Sequence, residues 1–192
     1  PVHIVSGDYC NIKVTTPNDI AVAKRYLGIE DKRMRVGFGY DIHQLKAGRP
    51  CILGGVHIES DLGPDGHSDA DVLIHALMDA MLGAAGLRDI GYYFPPEDDQ
   101  YKGISSMLLL EKVNFLLKER GLQAYNIDIM VISETPKLKP HIDMMKANLQ
   151  SILEIPLDRI SIKATTNEML GAIGRREGIA AQAVVSVYEG EI

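Results

Sequence analysis

The chain lacks three features, and each absence excludes a class of protein. Its two cysteines, Cys10 and Cys51, form no CxxC pair and no disulfide framework, so we expect a reducing compartment. No apolar run approaches the roughly 18 residues of a membrane span, and no signal-peptide pattern is present. The net charge of −6 argues against a general nucleic-acid binder, which is normally basic.

Length and composition are those of an ordinary globular protein. Of the 192 residues, 46% are hydrophobic and 24% are charged, which predicts one domain, or one domain with an appendage. An acidic chain still binds phosphorylated ligands where helix termini, lysines, arginines or metal ions are concentrated locally.

Residues 1–33 are predicted to be separate from the rest. Turn and cap residues predict a helix over 18–27, and the polar run 28–35 is typical of a linker. We place a domain boundary near Asp31, with residues 34–192 as the second domain. The first block is too small to fold alone. Because the first residue is not methionine, we expect the chain to be a piece of a longer one.

Strand and helix patterns alternate from residue 34 onward. Predicted strands cover 34–45, 51–60, 126–134, 160–166 and 179–189, and predicted helices cover 66–82, 105–120 and 140–153. The segments between them are predicted turns or loops, notably 60–66, 87–103 and 167–178. The order predicts an α+β fold of the two-layer α/β type, with a mixed β-sheet covered by three main helices.

The first of these helices carries the densest group of polar residues. Asp71, His75 and Asp79 are spaced i, i+4, i+8 and therefore line one face. Ser68 or Asp69 is a suitable N-cap, and Ser68 with Asp71 has the spacing of a capping box. An amphipathic helix with a polar outer face explains the same pattern without a site.

The spacing of Asp41, His43 and His75 indicates a metal site. Asp41 and His43 are two apart on a predicted strand, so they share a face, and His75 comes from the helix. Three ligands with an open position are typical of catalytic zinc. A chance Asp-x-His pair is the alternative. Nearby carboxylates either orient the histidines or belong to a solvated helix face: Asp69, Asp71 and Asp79.

Residues 163–178 have the composition of a phosphate site. Glu168 is a candidate ligand for a hard divalent cation held between phosphates. The other donors are hydroxyl, amide and guanidinium groups, on Thr165, Thr166, Asn167, Arg175 and Arg176. A surface hairpin is the alternative here. Lys137 and Lys139 lie in a basic turn that either holds a nucleotide or is simply solvated.

Five separated motifs together resemble one enzyme family. In order they are GFGYDIHQL, LGGVHI, HSDADVLIHALMDAMLGAAGLRDIGYYFP, ETPKLKPHI and KATTNEMLGAIGRREGIAAQAV. They resemble 2-C-methyl-D-erythritol 2,4-cyclodiphosphate synthase of the non-mevalonate isoprenoid route, over about residues 34–189. The resemblance implies a metal-dependent phosphorus-oxygen lyase. It would convert 4-diphosphocytidyl-2-C-methyl-D-erythritol 2-phosphate to the cyclodiphosphate and release CMP.

The resemblance also implies roles for individual residues. Zn²⁺ would bind Asp41, His43 and His75, and Mg²⁺ or Mn²⁺ would bind Glu168 and the substrate diphosphate. Catalytic roles would fall to His67, Asp71 and Thr166. The implied substrate contacts are His67, Ser68, Asp89, Ile90, Gly91, Phe94 and Arg175. The implied nucleotide contacts are Glu134, Thr135, Pro136, Lys137, Leu138, Lys139, Thr165 and Thr166. Members of the family are homotrimers with active sites between subunits.

The chain departs from the family pattern near the implied nucleotide site. Asn167, Met169 and Ala172 stand where the family usually has Thr, Lys and often Phe, and Arg176 replaces a common Gly. The loop FPPEDDQYKG also differs from the more frequent form. No implied metal ligand is lost.

The first block has a resemblance of its own. NIKVTTPNDIAVAKRYL is similar to the C-terminal tail of the 4-diphosphocytidyl-2-C-methyl-D-erythritol synthase (cytidylyltransferase) family. This implies a fused enzyme that also contains a nucleotidyltransferase, located in a bacterial cytosol or a plastid stroma. A zinc phosphoesterase and a non-catalytic domain with a structural metal are the competing hypotheses.

Overall fold

The computed structural model describes residues 2–28 and 33–189. The chain divides into two compact units on either side of the Arg33–Met34 bond. Half of the predicted linker, residues 29–32 with Asp31, lies outside the described residues. No helix in the described ranges is both long and apolar enough to cross a membrane.

The first unit contains helix α1, Pro17–Tyr26, which agrees with the prediction. Thr16 is its N-cap, and Thr16 and Asp19 form a reciprocal capping box. The Asp19 carboxylate accepts the N–H groups of Thr15 and Thr16, which lowers its pKa to about 2.

The second unit contains a five-stranded mixed sheet with helices on one face, and a separate two-stranded hairpin. The seven strands of the unit are β1 Met34–Ala47, β2 Cys51–Leu53, β3 Val56–Ile58, β4 Leu62–Asp65, β5 Leu122–Ile132, β6 Ile160–Thr165 and β7 Gly178–Glu189. Its helices are α2 Val72–Ala84, α3 Ile90–Tyr93, α4 Ser106–Lys118, α5 Ile142–Leu153 and α6 Gly171–Gly174. The sheet order is β4-β1-β7-β5-β6, with only β5 and β6 parallel, and β2 and β3 form a separate hairpin. The predicted mixed sheet with three main helices is confirmed.

Helix α2 is the centre of the core, contrary to the amphipathic pattern predicted for it. Nearly all of its residues are buried, including His75, and Ala76, Met78 and Met81 are fully so. It packs on β1 and β7 on one side and against α4 on another. A helix that is apolar all round is expected to be enclosed in this way.

Two glycines of β1 allow α2 to lie unusually close to the sheet. A Cβ on Gly37 would stand 2.0 Å from the carbonyl oxygen of Ala80, and one on Gly39 would stand 2.0 Å from that of Ala76. Along β1, positions 37, 39, 41 and 43 share one face because side chains alternate. The close approach therefore occurs just before the two positions that the sequence predicts as metal ligands.

Several boundaries differ from the prediction. Helix α2 begins at Val72 with Asp71 as its N-cap, so neither Ser68 nor Asp69 caps it and Asp71 is not on its face. The predicted turn 60–66 contains β4, which pairs with β1. The predicted loop 87–103 contains α3 and the 3₁₀ turn Asp99–Tyr101, and the loop after β6 contains α6. Short elements like these have too few residues for a periodic signal.

Candidate functional site

Three electron-pair donors meet where β1 passes α2. Asp41 Oδ2 lies 3.0 Å from His43 Nε2 and 3.0 Å from His75 Nδ1, and the two nitrogens are 3.1 Å apart. Within the described part of the chain, this is the group of acidic, histidine or cysteine residues with metal-site spacing. The predicted convergence of Asp41, His43 and His75 is confirmed.

The opposite nitrogen of each histidine is held by a partner that fixes the tautomer. His43 Nδ1 lies 2.9 Å from the carbonyl oxygen of Asp65, which can only accept, so Nδ1 carries the proton. His75 Nε2 lies 2.9 Å from Ser106 Oγ, and the Ser106 hydroxyl donates to Asp69. Ser68 Oγ is a second oxygen beside His75 Nε2, at 3.2 Å, and because the nearer hydroxyl is committed to Asp69 we assign the proton to Nε2. Both inward nitrogens, His43 Nε2 and His75 Nδ1, present lone pairs to the Asp41 carboxylate.

Such a donor set fits a bound cation. Two lone pairs and a carboxylate oxygen at this spacing repel one another unless a positive charge lies between them. Ligand atoms of a tetrahedral zinc ion with bonds of about 2.0–2.1 Å are about 3.3 Å apart, close to the spacing here. Outer hydrogen bonds to both histidines are the usual support of such ligands.

The electrostatics of the group favour the ligand forms. Burial alone would raise the pKa of Asp41, but hydrogen bonds and charge from the protonated forms of His43 and His75 hold it well below its ordinary value. Burial opposes charging of His43, yet the hydrogen bond to Asp41 and its charge raise the His43 pKa. Asp41 thus remains a carboxylate, and a proton competes with a metal for His43.

The structure corrects the predicted roles of the neighbouring aspartates. Asp71 is fully buried, and its carboxylate accepts the N–H groups of Ile74 at 3.1 Å and Gly55 at 2.8 Å. It therefore caps α2 and joins it to the β2–β3 turn, and it does not orient His75. Asp69 supports His75 instead, through Ser106, whose N–H it also accepts at 2.8 Å. Ser106 was not predicted, because it lies 31 residues after His75 and no local pattern links the two.

Beside the three donors is a cavity of about 290 Å³. The predicted substrate residues that line it are His67, Ser68, Ile90, Gly91 and Phe94. Three lining residues were not predicted, namely Pro96, Tyr101 and Leu109. Pro96 and Tyr101 lie in the predicted loop 87–103. Loops of this length inside a compact domain are often functional, and that length was the available signal.

Asp79 supports the wall of this cavity from behind, and Asp89 precedes the short helix that forms part of the wall. The Asp79 carboxylate accepts the N–H of Ile90 at 2.8 Å and so ties the start of α3 to α2. Burial raises the pKa of Asp79, against the effect of that hydrogen bond. Asp89 is the N-cap residue of α3, and its side chain makes no capping hydrogen bond. It is not among the lining residues.

A second cavity, of about 250 Å³, lies between the segment after β5 and the end of β6. It is lined by most of the predicted nucleotide contacts, together with two residues that were not predicted: Ser133, Glu134, Pro136, Lys137, Leu138, Lys139, Ala164, Thr165 and Thr166. The Glu134 carboxylate joins the two walls, because it accepts the N–H groups of Asn167 at 2.9 Å and Met169 at 3.2 Å.

Predicted site residues that line neither cavity include Asp71, Asp89 and Thr135, and two more, Glu168 and Arg175, lie on or after the loop that follows β6. Glu168 is exposed on the loop after β6, where its carboxylate accepts the Thr166 hydroxyl at 3.0 Å. Arg175 is exposed and forms a two-bond ion pair with Glu177, at 2.9 and 3.0 Å. Within a single chain, therefore, neither Glu168 nor Arg175 belongs to the cavity beside the three metal donors.

Comparison with known proteins gives consistent matches. The sequence profile of the YgbB family matches residues 34–188. A 2-C-methyl-D-erythritol 2,4-cyclodiphosphate synthase of Synechococcus elongatus is 59% identical over 152 residues, which are 79% of this chain and 95% of that protein. A bifunctional enzyme IspD/IspF of Desulforudis audaxviator is 52% identical over 186 residues, which are 97% of this chain but 47% of that protein. The IspF of Plasmodium falciparum in complex with CDP superposes with a TM-score of 0.73 at 32% identity, covering 82% of this chain and 97% of that one. The chain thus spans about half the length of the bifunctional relatives.

Proposed function

The chain belongs to the YgbB family, and we propose that its Asp41, His43 and His75 hold Zn²⁺ during the family's reaction. That reaction forms 2-C-methyl-D-erythritol 2,4-cyclodiphosphate in non-mevalonate isoprenoid biosynthesis. The observation that carries the zinc proposal is the meeting of Asp41 Oδ2, His43 Nε2 and His75 Nδ1 at 3.0–3.1 Å, with the outer nitrogen of each histidine held by an oxygen. Nitrogen and carboxylate donors are those that zinc accepts.

The cavity beside the three donors is the proposed site for the reacting phosphates. An oxygen of the substrate 2-phosphate bonds to the β-phosphorus, the bond from that phosphorus to the CMP oxygen breaks, and CMP leaves with the electron pair. A metal ion held by Asp41, His43 and His75 would supply positive charge for orienting and polarising a phosphate. The attacking group is already an anion near neutral pH and the leaving group is a phosphate, so the site needs no strong acid or base.

The residues of the chain position the substrate. His67 and Ser68 contact the phosphates at the entrance to α2, while Ile90, Gly91 and Phe94 enclose the methylerythritol part. Asp89 contacts its hydroxyl groups from the start of α3. Asp71 contributes indirectly, because its cap fixes the first turn of α2 and thus the height of His75 above β1.

The second cavity is the proposed nucleotide site. Lys137 and Lys139 supply positive charge, and Thr165 and Thr166 supply hydroxyl donors at the opposite wall. The CDP found in the P. falciparum relative supports a cytidine nucleotide as the ligand. Glu168, held by Thr166, would bind Mg²⁺ or Mn²⁺ between the phosphates.

An apolar face of β1 supports an interface between copies of the chain, and we propose that the assembly is a homotrimer. On the side of the sheet away from α2, an unbroken row of large side chains is 47–65% exposed: Met34, Val36, Phe38, Tyr40 and Ile42. Val184 of β7 pairs with Phe38 and extends this face. Contiguous exposed apolar surface of this kind marks an interface. In the trimer, a neighbouring subunit would bring its Glu168 and Arg175 to the substrate, and light scattering should give the mass of three chains.

Residues 1–33 are proposed to be the tail of a cytidylyltransferase domain. The support is the bifunctional relative, which aligns with 97% of this chain. The full protein would then carry both activities in a bacterial cytosol, with a plastid stroma as the alternative. Neither the cyclase proposal nor the cytidylyltransferase proposal assigns a role to nucleic acid or to a membrane.

Replacement of His75 tests the zinc proposal. We expect His75→Ala to remain folded, to lose bound zinc and to release no CMP. The matched control is His57→Ala, because His57 is exposed on β3 and lies outside both cavities. ³¹P NMR of the wild-type product separates a cyclic diphosphate from the linear product of a phosphoesterase. A His75→Ala protein that lacks zinc yet turns over normally would sink the assignment.

A further inference from the structure

We propose that Arg176 is a positioning residue that clamps the proposed nucleotide loop to the β3–β4 turn and thereby tightens nucleotide binding. The proposal rests on the nucleotide site assigned above. It concerns a residue that lines neither cavity and contacts no proposed ligand. Three observations support it: the backbone conformation of Arg176, the two partners of its side chain, and the position of one partner, Thr135, in the proposed nucleotide loop.

Arg176 occupies a backbone position that normally belongs to glycine. It follows the C-cap Arg175 of α6, and its φ is 63°, in the left-handed region. The N–H of Arg176 donates to Ile173 O and that of Glu177 donates to Ala172 O, both at 2.9 Å. These two bonds form a Schellman motif, in which the left-handed residue is usually glycine because a Cβ is unfavourable there. Strained residues of this kind are often functional.

The side chain of Arg176 joins two segments that are far apart in sequence. Its Nη2 donates to both carboxylate oxygens of Asp61, at 3.0 and 3.1 Å, between β3 and β4. Its Nε donates to Thr135 Oγ1 at 3.1 Å. The Asp61 carboxylate therefore fixes the guanidinium on one side, and on the other side the guanidinium donates a hydrogen bond to the Thr135 hydroxyl. A planar fork suits this arrangement better than an ammonium group does.

Thr135 lies within the segment that forms one wall of the proposed nucleotide site. Its neighbours Glu134 and Pro136 line the cavity, and its carbonyl accepts the Ser133 hydroxyl at 2.5 Å. Glu134 ties the same segment to the loop after β6. Glu134 and Arg176 thus restrain the segment from two directions. A loop ordered before binding loses less conformational entropy when the ligand arrives.

The clamp and the backbone strain predict different responses to two substitutions. Arg176→Ala removes the clamp and keeps a Cβ in the left-handed conformation. Arg176→Gly removes both the clamp and the strain. We expect both variants to bind CDP roughly threefold to tenfold more weakly by calorimetry, with KM raised and kcat unchanged. The glycine variant should melt about 2–4 °C above the alanine variant.

Further variants give an internal scale. Arg176→Lys keeps the charge without the fork and should recover part of the affinity, and Asp61→Asn should lose part of it. Lys118→Ala is the control, because it removes a 2.6 Å ion pair to Glu154 of another part of the unit and should leave the Kd for CDP unchanged.

The outcomes separate this proposal from the nucleotide site on which it rests. If the wild type does not bind CDP, the nucleotide site itself is wrong. If the wild type binds CDP and Arg176→Gly binds it equally well, the clamp is wrong. A Kd that follows the melting temperature across the Arg176 variants would also overturn the clamp, since it would show only a general effect of stability.

Discussion

The clearest test of how the fold positions the metal donors is Gly39→Ala. An ideal Cβ at Gly39 would lie 2.0 Å from Ala76 O and 2.7 Å from Ala80 N, both backbone atoms of α2. Ordinary contact begins at 3.4 Å, so α2 and β1 must separate by about 1.4 Å to admit the methyl group. No flexible side chain is available to absorb this change.

The separation should affect both stability and metal binding. Overpacking against backbone in a close-packed core costs about 3 kcal/mol or more of unfolding free energy. His75 precedes Ala76 on α2, whereas Asp41 and His43 follow Gly39 on β1, so the same movement pulls the donors apart. Metal–ligand distances tolerate about 0.2 Å, and we therefore expect zinc affinity to fall at least roughly tenfold to hundredfold.

Urea denaturation and competition with a chromophoric chelator measure the two effects. Gly83→Ala is the matched control, because its Cβ would meet only Phe38 O at 4.0 Å, from the helix side of the same interface. That exchange should stabilise α2 by about 0.5–1 kcal/mol and leave zinc affinity unchanged. Wild-type zinc affinity and stability in Gly39→Ala would refute the claim that the glycine sets the distance.

Two further predictions concern residues beside the metal donors. Ser106→Ala removes the nearer of the two hydroxyls beside His75 Nε2, at 2.9 Å against 3.2 Å for Ser68, and should weaken zinc binding about tenfold to hundredfold. The control Ser105→Ala should cost about 1 kcal/mol through loss of the α4 cap and keep zinc affinity. Equal zinc affinities of Ser106→Ala and the wild type would contradict the role given to Ser106. Burial raises the pKa of Asp71 to about 6, against the N–H of Gly55, so the folded state binds this proton more tightly than the unfolded state. As the pH rises from about 4 to 6, the unfolding free energy of the wild type relative to Asp71→Asn should therefore fall by about 3 kcal/mol. Urea denaturation measures this difference. A difference that does not change with pH would refute the raised pKa.

Much of the fold could be predicted because its long elements have periodic sequences. Alternation placed β1, and the apolar stripe with Ser105 ahead of it placed α4. The start of α2 was wrong because Ser68, Asp69 and Asp71 are all good caps. Tertiary contacts chose among them, since only Asp71 both accepts the N–H of Ile74 and reaches Gly55.

The sequence alone determined which residues could supply a metal site. Asp41 and His43 are two residues apart and share a face of a strand, and His75 lies on a helix long enough to pack across that strand. Residue type and local spacing are enough for that inference because both are properties of a short segment.

Only the tertiary structure decided how these donors are held. Ser106 fixes a histidine 31 residues away, and Arg176 meets an aspartate 115 residues away. In the sequence, Gly39 is an ordinary residue of a predicted strand, and only the packing of α2 against β1 shows why a side chain is excluded there. Contacts between distant segments leave no periodic trace in either segment, because each depends on how close two backbones come after folding.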